Sequence, residues 1–342
     1  MLSIIRRTYD KAGDGSGGLP SRGTPRHPRP KIGLALGAGA ARGWSHIGVL
    51  RELEAGGIRP DIVVGTSIGA VVGGCYAAGK LDELESFATS LTRRRIVGLL
   101  DLSFGGAGIF SGSRIRERLE SELAGIEIDS LRVPFAAVAT EIGTGHEVWL
   151  RHGPLSRAIS ASYALPGLLE PVRIDNRWLF DGALVNPIPV SVCRALGADI
   201  VIAVSLVSDM MFRGTVLGDR HAGDQAVDVI AEKIEDEPAG SWWLGKPTSA
   251  FLRRRLGRSP NGAPGIATVM LDAFTITQDR IARSRLAGDP PDVLLHARLD
   301  SIGLFEFHRG RELIDLGREA TRRRLTDIHE HLHGIREQET AP

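Results

Sequence analysis

At 342 residues, with 42% hydrophobic and 24% charged side chains, the chain has the composition of a globular protein with ample material for a core. Its 42 basic and 41 acidic residues leave a formal net charge of +1. That balance excludes nucleic-acid binding by bulk charge and gives no overall signal for a membrane surface.

In chain order, MLSIIRRTYD is too short an apolar run, followed by the wrong charges, to read as a signal peptide. Residues 1–30 are rich in Gly, Pro, Ser and Arg and predict a flexible basic leader. Residues 1–31 carry seven basic side chains against Asp10 and Asp14. From Lys31 onward short apolar runs alternate with helical patterns. IGLAL (32–36) predicts a strand and Gly43–Ala55 a helix; DIVVG (61–65) predicts a second strand and a further helix starts near Ile68. The uncharged run from Ile62 to Gly79 has the length of a short membrane span, but its five glycines and central Gly-Thr-Ser fit a strand, a turn and a helix better. Helical spacing continues over 81–94 and 111–123. Strands are predicted at 134–140, 147–150, 177–180, 199–206 and 292–296, and one helix over 306–335.

This βαβ rhythm predicts an α/β fold with a mostly parallel central sheet covered by helices. Residues 208–265 stand apart as a variable region. There Trp242 and Trp243, near Arg253–Arg255, suggest a lid or an interfacial patch for peripheral contact with a lipid surface. Residues 326–342 complete the last helix and a tail. Cys75 and Cys193 lie in apolar surroundings and read as buried free thiols, which places the chain in a reducing, cytoplasmic setting.

Three sites carry chemistry. Gly65-Thr66-Ser67-Ile68-Gly69 is a G-x-S-x-G between a buried strand and an apolar helix. Small residues there permit a sharp turn that lifts the Ser67 hydroxyl into a cleft at a helix N-terminus. Gly37-Ala38-Gly39-Ala40-Ala41-Arg42-Gly43 joins a strand to a helix. As a dinucleotide fingerprint it fails, because Arg42 occupies the last small position and Asp61 opens a strand instead of closing one. As an oxyanion loop it offers the N–H groups of Gly37, Ala38 and Gly39, with Ile68 N–H as a further donor. Arg42 has two roles open to it, charge for a substrate phosphate or support of the loop. The third site is Asp181-Gly182-Ala183, a carboxylate at the end of a strand, where α/β folds gather their active sites.

Together these sites resemble the patatin-like phospholipases. LGAGAARGWSHIGVL is similar to that family's oxyanion block and VVGTSIGAVVGGCYAAG to its nucleophile block. AISASYALPGLLEPV (158–172) and FDGALVNPIPV (180–190) are similar to the blocks before and around its catalytic aspartate. The closing segment PDVLLHARLDSIGLFEFHRGRELIDLGREA resembles bacterial members and neuropathy-target-esterase-type catalytic domains. The likeness covers residues 31–325 and implies a three-layer α/β/α hydrolase domain. It implies Ser67 as nucleophile and Asp181 as the only general base and acid, with no catalytic histidine, metal or cofactor. The implied substrate is a phospholipid or lysophospholipid acyl ester. A carboxylesterase, thioesterase or acyltransferase would use the same dyad, and a non-catalytic relative would keep the fold alone. Glu141 stands where the family usually has Asp, and Ala38 and Ala40 stand in a loop often richer in glycine.

Overall fold

The computed structural model describes residues 29–99, 101, 108–206, 266–297, 299 and 302–340. The leader up to residue 28 and the variable region lie outside the described residues, and with them Trp242, Trp243 and Arg253–Arg255.

The central sheet is built from β1 (Ile32–Leu36), β2 (Ile62–Thr66), β4 (Phe135–Glu141), β9 (Ile200–Ser205) and β10 (Val293–His296), all parallel. Its order is β10-β9-β1-β2-β4, followed by β8 (Arg177–Asp181) and β7 (Val172–Ile174), while β5 (Glu147–Leu150) also pairs with β4. β5 and β8 run antiparallel to β4 and β7 antiparallel to β8, so the sheet is mixed but mostly parallel. A separate parallel pair joins β3 (Gly108–Phe110) to β6 (Gly167–Leu169).

The middle strands are apolar on both faces because both faces are covered. Leu34, Leu36, Val63, Ala137 and Ala139 point into one core. That side carries α1 (Ser45–Ala55), α2 (Ile68–Ala77), α3 (Leu81–Ser90), α6 (Leu155–Ser162) and α9 (Gly310–Arg322). The alternate residues Ala35, Ile62, Val64, Ala136 and Val138 point into a second core. α7 (Val190–Ala195) and α8 (Ile266–Gly288) cover it with Val192, Cys193, Ala282 and Leu286. The three-layer arrangement follows from this alternation.

Two predicted helices are each divided. The 81–94 pattern breaks at Leu91, and α4 (Arg93–Leu99) begins afresh. Thr92 caps the new helix, its hydroxyl accepting from the Arg95 N–H at 3.3 Å. The closing helix is α9 and then α10 (Leu325–Thr340), with a turn at Arg323–Arg324. No Gly or Pro marks that turn, so hydrophobic periodicity runs straight through it. α5 (Ser113–Glu122) matches its pattern, whereas α7 and α8 were not anticipated from the sequence. The Ile62–Gly79 run is strand and helix, and among the described residues no helix is long and apolar enough to cross a membrane.

Candidate active site

Ser67 is the hinge between β2 and α2. Its φ of 57° and ψ of −124° put a non-glycine residue at positive φ, a conformation that costs about 1–3 kcal/mol and is held by its surroundings. The flanking glycines are required by contact. A Cβ on Gly65 would lie 2.3 Å from the Gly69 backbone, and one on Gly69 would lie 2.1 Å from the Leu36 carbonyl oxygen. The G-x-S-x-G spacing is therefore a packing requirement of the turn.

The strand registers explain how Asp181 reaches Ser67 across 114 residues. Along β4, residues 135–138 pair with β2 and residues 139–141 with β8, while β5 takes 137–140. A strand has only two edges, so β2 and β8 share one of them and run head-on along it. β2 ends at Thr66 opposite Val138, and β8 ends at Asp181 opposite Ala139. Both chains must leave the sheet there. Ser67 turns into α2, and Gly182 passes so close that a Cβ would meet the Val138 carbonyl oxygen at 2.3 Å. Asp181 does stand at a strand's C-terminal end, but the strand is antiparallel. It lies at the active edge because β8 occupies the overhang of β4 beyond β2.

The Ser67 Oγ donates to Asp181 Oδ2 at 2.5 Å, and Asp181 Oδ1 accepts the Ala183 N–H at 2.8 Å. The strand end is held by the Thr140 hydroxyl donating to the Asp181 carbonyl and by the Asp181 N–H donating to the Ala164 carbonyl, each at 2.9 Å. Asp181 is buried, and loss of water raises its carboxyl to about 7, although the Ser67 and Ala183 hydrogen bonds pull the other way. Such a group can take and return a proton near neutrality. Among the described residues no histidine bonds to either partner. His46 is buried one loop away, with Nε2 2.7 Å from the Gly37 carbonyl oxygen. Since that carbonyl accepts, Nε2 carries the proton. Burial pulls the ring down to about 4 against the help of that hydrogen bond, so it is neutral near pH 7.

The glycine-rich loop differs from the expectation in which donors it offers. The Gly37 N–H donates to the Val204 carbonyl at 3.1 Å and the Ala38 N–H to the Pro187 carbonyl at 2.9 Å. Both are thus spent on tying the loop to its neighbours. Among the described residues no hydrogen bond occupies the N–H groups of Gly39, Ala40 or Ile68, and all three residues line the cavity beside Ser67. Ala40 has a φ of 48° and starts a short 3₁₀ turn ending at Trp44. The Arg42 Nε donates to the Ile302 carbonyl at 2.8 Å, and the neighbouring Ala41 N–H donates to the Leu304 carbonyl at 2.9 Å.

Ser162 is a site residue that sequence reading missed. Its hydroxyl accepts the Ser67 N–H at 2.9 Å and donates to the Val138 carbonyl at 2.5 Å, so it pins the turn to β4. It falls within the AISASYALPGLLEPV block, but nothing in the spacing distinguishes it from Ser160. Ser67 and Asp181 open onto a cavity of about 290 Å³ with mostly apolar walls. No group of three or more His, Cys, Asp or Glu able to hold a metal occurs among the described residues. Cys75 and Cys193 are free and buried.

Residues 34–194, which include Ser67 and Asp181, match the family profile described as patatin-like phospholipase. An uncharacterized NTE family protein of Mycobacterium tuberculosis is 35% identical over 331 residues, covering 84% of this chain and 89% of that protein. Lysophospholipase NTE1 of Pyricularia oryzae is 29% identical over 297 residues, 84% of this chain and 18% of its own. Human patatin-like phospholipase domain-containing protein 6 is 34% identical over 199 residues, 56% of this chain and 14% of its own.

Proposed function

The chain belongs to the patatin-like phospholipase family, and we propose that it hydrolyses acyl esters of phospholipids or lysophospholipids through a Ser67–Asp181 dyad. Family membership supports lipid hydrolysis. The observation that carries the finer reading is the 2.5 Å contact between the Ser67 hydroxyl and a buried carboxylate at the floor of an apolar cavity. The hydrolase domain on this reading runs from residue 31 to 325.

Asp181 accepts the Ser67 proton as Oγ attacks the ester carbonyl and forms the new C–O bond. The carbonyl oxygen becomes negative and is met by the N–H groups of Gly39, Ala40 and Ile68, with the N-terminus of α2 adding positive partial charge. As the intermediate collapses, the bond to the alcohol breaks and the protonated Asp181 returns its proton to the leaving oxygen. Asp181 next removes a proton from water, which attacks the acyl-enzyme. As that second intermediate collapses, the bond from the acyl carbon to Oγ breaks and Asp181 returns the proton to Oγ, which releases the fatty acid and restores the Ser67 hydroxyl. Burial makes the carboxylate a stronger base than it is in water, and the preformed N–H donors cost no reorganisation at the moment of reaction.

The test is turnover of phosphatidylcholine, lysophosphatidylcholine and acyl-CoA of equal acyl length, with Ser67→Ala as the blank. The expected result is Ser67-dependent release of fatty acid from the phospholipid or lysophospholipid. Equal release by Ser67→Ala would sink the dyad, and turnover confined to the thioester would move the substrate class.

A further inference from the structure

The cavity extends well past the dyad. Ser67, Val71 and Cys75 all line it, and their spacing of four residues makes them one stripe down α2. The ends of the stripe are eight positions apart, about 12 Å at a rise of about 1.5 Å per residue. Leu84 and Phe87 of α3 and Leu119 of α5 contribute apolar side chains to the same cavity.

Apolar lining gives way to charge near Cys75. Lys80, Glu83, Arg118 and Glu122 line the cavity as well, paired as Lys80–Glu83 at 2.9 Å and Arg118–Glu122 at 3.1 Å. Lys80 is fixed at that end, its N–H donating to the Cys75 carbonyl at 2.7 Å. Burial pushes the Cys75 thiol up to about 12, with Glu83 and Glu122 adding to the rise, and Glu122 also acts on Lys80. All four charged side chains are more than a third exposed, so solvent reaches this charged ring at the Cys75 end of the cavity.

A methylene chain gains free energy by leaving water only while its walls are apolar. Carbons pushed into the ring would displace water from charged groups and give nothing in return. With C–C bonds of about 1.5 Å, an extended chain advances about 1.25 Å per carbon, so the stripe accommodates about nine or ten carbons beyond the carbonyl. We propose that the Ser67–Val71–Cys75 stripe and the Lys80, Glu83, Arg118 and Glu122 ring form a ruler that selects a single medium-length acyl chain of about 8–12 carbons. The assignment rests on acyl transfer to Ser67, but the slot itself is a binding device that can be read without turnover.

The test pairs kcat/KM for the p-nitrophenyl esters of butanoate, decanoate and hexadecanoate with calorimetric binding of the same fatty acids to full-length Ser67→Ala protein. The expected kcat/KM rises about two- to fourfold per carbon up to decanoate and gains nothing further at hexadecanoate. Val71→Phe lowers the decanoate-to-butanoate ratio by about tenfold or more, in line with several carbons denied burial. Because Val71 is a core position, the exposed variant Lys80→Met/Glu83→Ala/Arg118→Met/Glu122→Ala, which removes all four charges, gives a second arm, and it restores a gain for hexadecanoate. A steady rise through hexadecanoate in the wild type, or the same length profile in all three proteins, overturns the ruler. A cut-off in binding without hydrolysis of any ester keeps the ruler and removes the hydrolase reading. Ser67-dependent hydrolysis with no cut-off does the reverse.

Discussion

Replacing Asp181 with Asn separates two consequences of burying a carboxylate. Burial raises the Asp181 pKa to about 7 in the folded protein, opposed by its Ser67 and Ala183 hydrogen bonds. In the unfolded chain an aspartate titrates near 3.9. Between those two values the folded state holds a proton that the unfolded state has released, so stability falls as pH rises. The sign is opposite to that of a salt-bridged aspartate. About three pKa units at about 1.36 kcal/mol each amount to roughly 4 kcal/mol, of which about 3 kcal/mol falls between about pH 5 and pH 8. Asn cannot ionise, and its amide oxygen can still accept the Ala183 N–H. In urea denaturation Asp181→Asn is therefore expected to exceed the wild type in stability at about pH 8, and the advantage shrinks by about 3 kcal/mol at about pH 5. Turnover moves the other way, falling about 10²–10⁴-fold with loss of the base. Wild-type kcat/KM rises with pH through an apparent pKa near 7 as the carboxylate form fills. Parallel stability-against-pH curves for the two proteins, or near-full turnover by Asp181→Asn, would refute this account.

Three further outcomes follow from the residues around the dyad. His46→Ala frees the Gly37 carbonyl and lowers kcat by about tenfold with KM little changed, the loss of one positioning hydrogen bond of about 1.5 kcal/mol. Its pH profile keeps the wild-type acid limb, because His46 is already neutral there; a shifted limb would make it a proton carrier instead. Ser162→Ala leaves the Ser67 N–H buried without an acceptor and costs about 1–3 kcal/mol of stability, read as a lower urea midpoint. An unchanged midpoint would contradict the pinning role. Gly182→Ala forces a methyl against the Val138 carbonyl oxygen, which is backbone and cannot swing aside. It is expected to cost about 1–3 kcal/mol and to depress turnover by displacing Asp181, and wild-type stability and turnover together would show that the contact relaxes freely.

How much of this was legible in sequence depends on the range of the interactions. The turn at Ser67 was readable because all its determinants lie within a few residues: an apolar strand, small neighbours and an apolar helix. The layers were readable too, since β1 and β2 are apolar on both faces and such strands must be covered twice. The divided helices were not, because Thr92 and the Arg323–Arg324 turn interrupt patterns that remain periodic on either side. α7 is only six residues long, too short for periodicity to declare it.

The sequence by itself determined the turn at Ser67, the small-residue loop and the βα alternation, each a matter of local sterics and hydrophobic spacing. It pointed to Asp181 through block resemblance, without a physical reason for the pairing. Tertiary structure decided that pairing, because two strands meeting end to end on one edge of β4 is a property of register that no local pattern encodes. It also decided which loop amides remain unspent. The Val204 and Pro187 carbonyls that occupy Gly37 and Ala38 come from strands and turns about 150 residues or more away. Only in the assembled fold does water leave Asp181, and with it comes the basicity that the proposed chemistry needs.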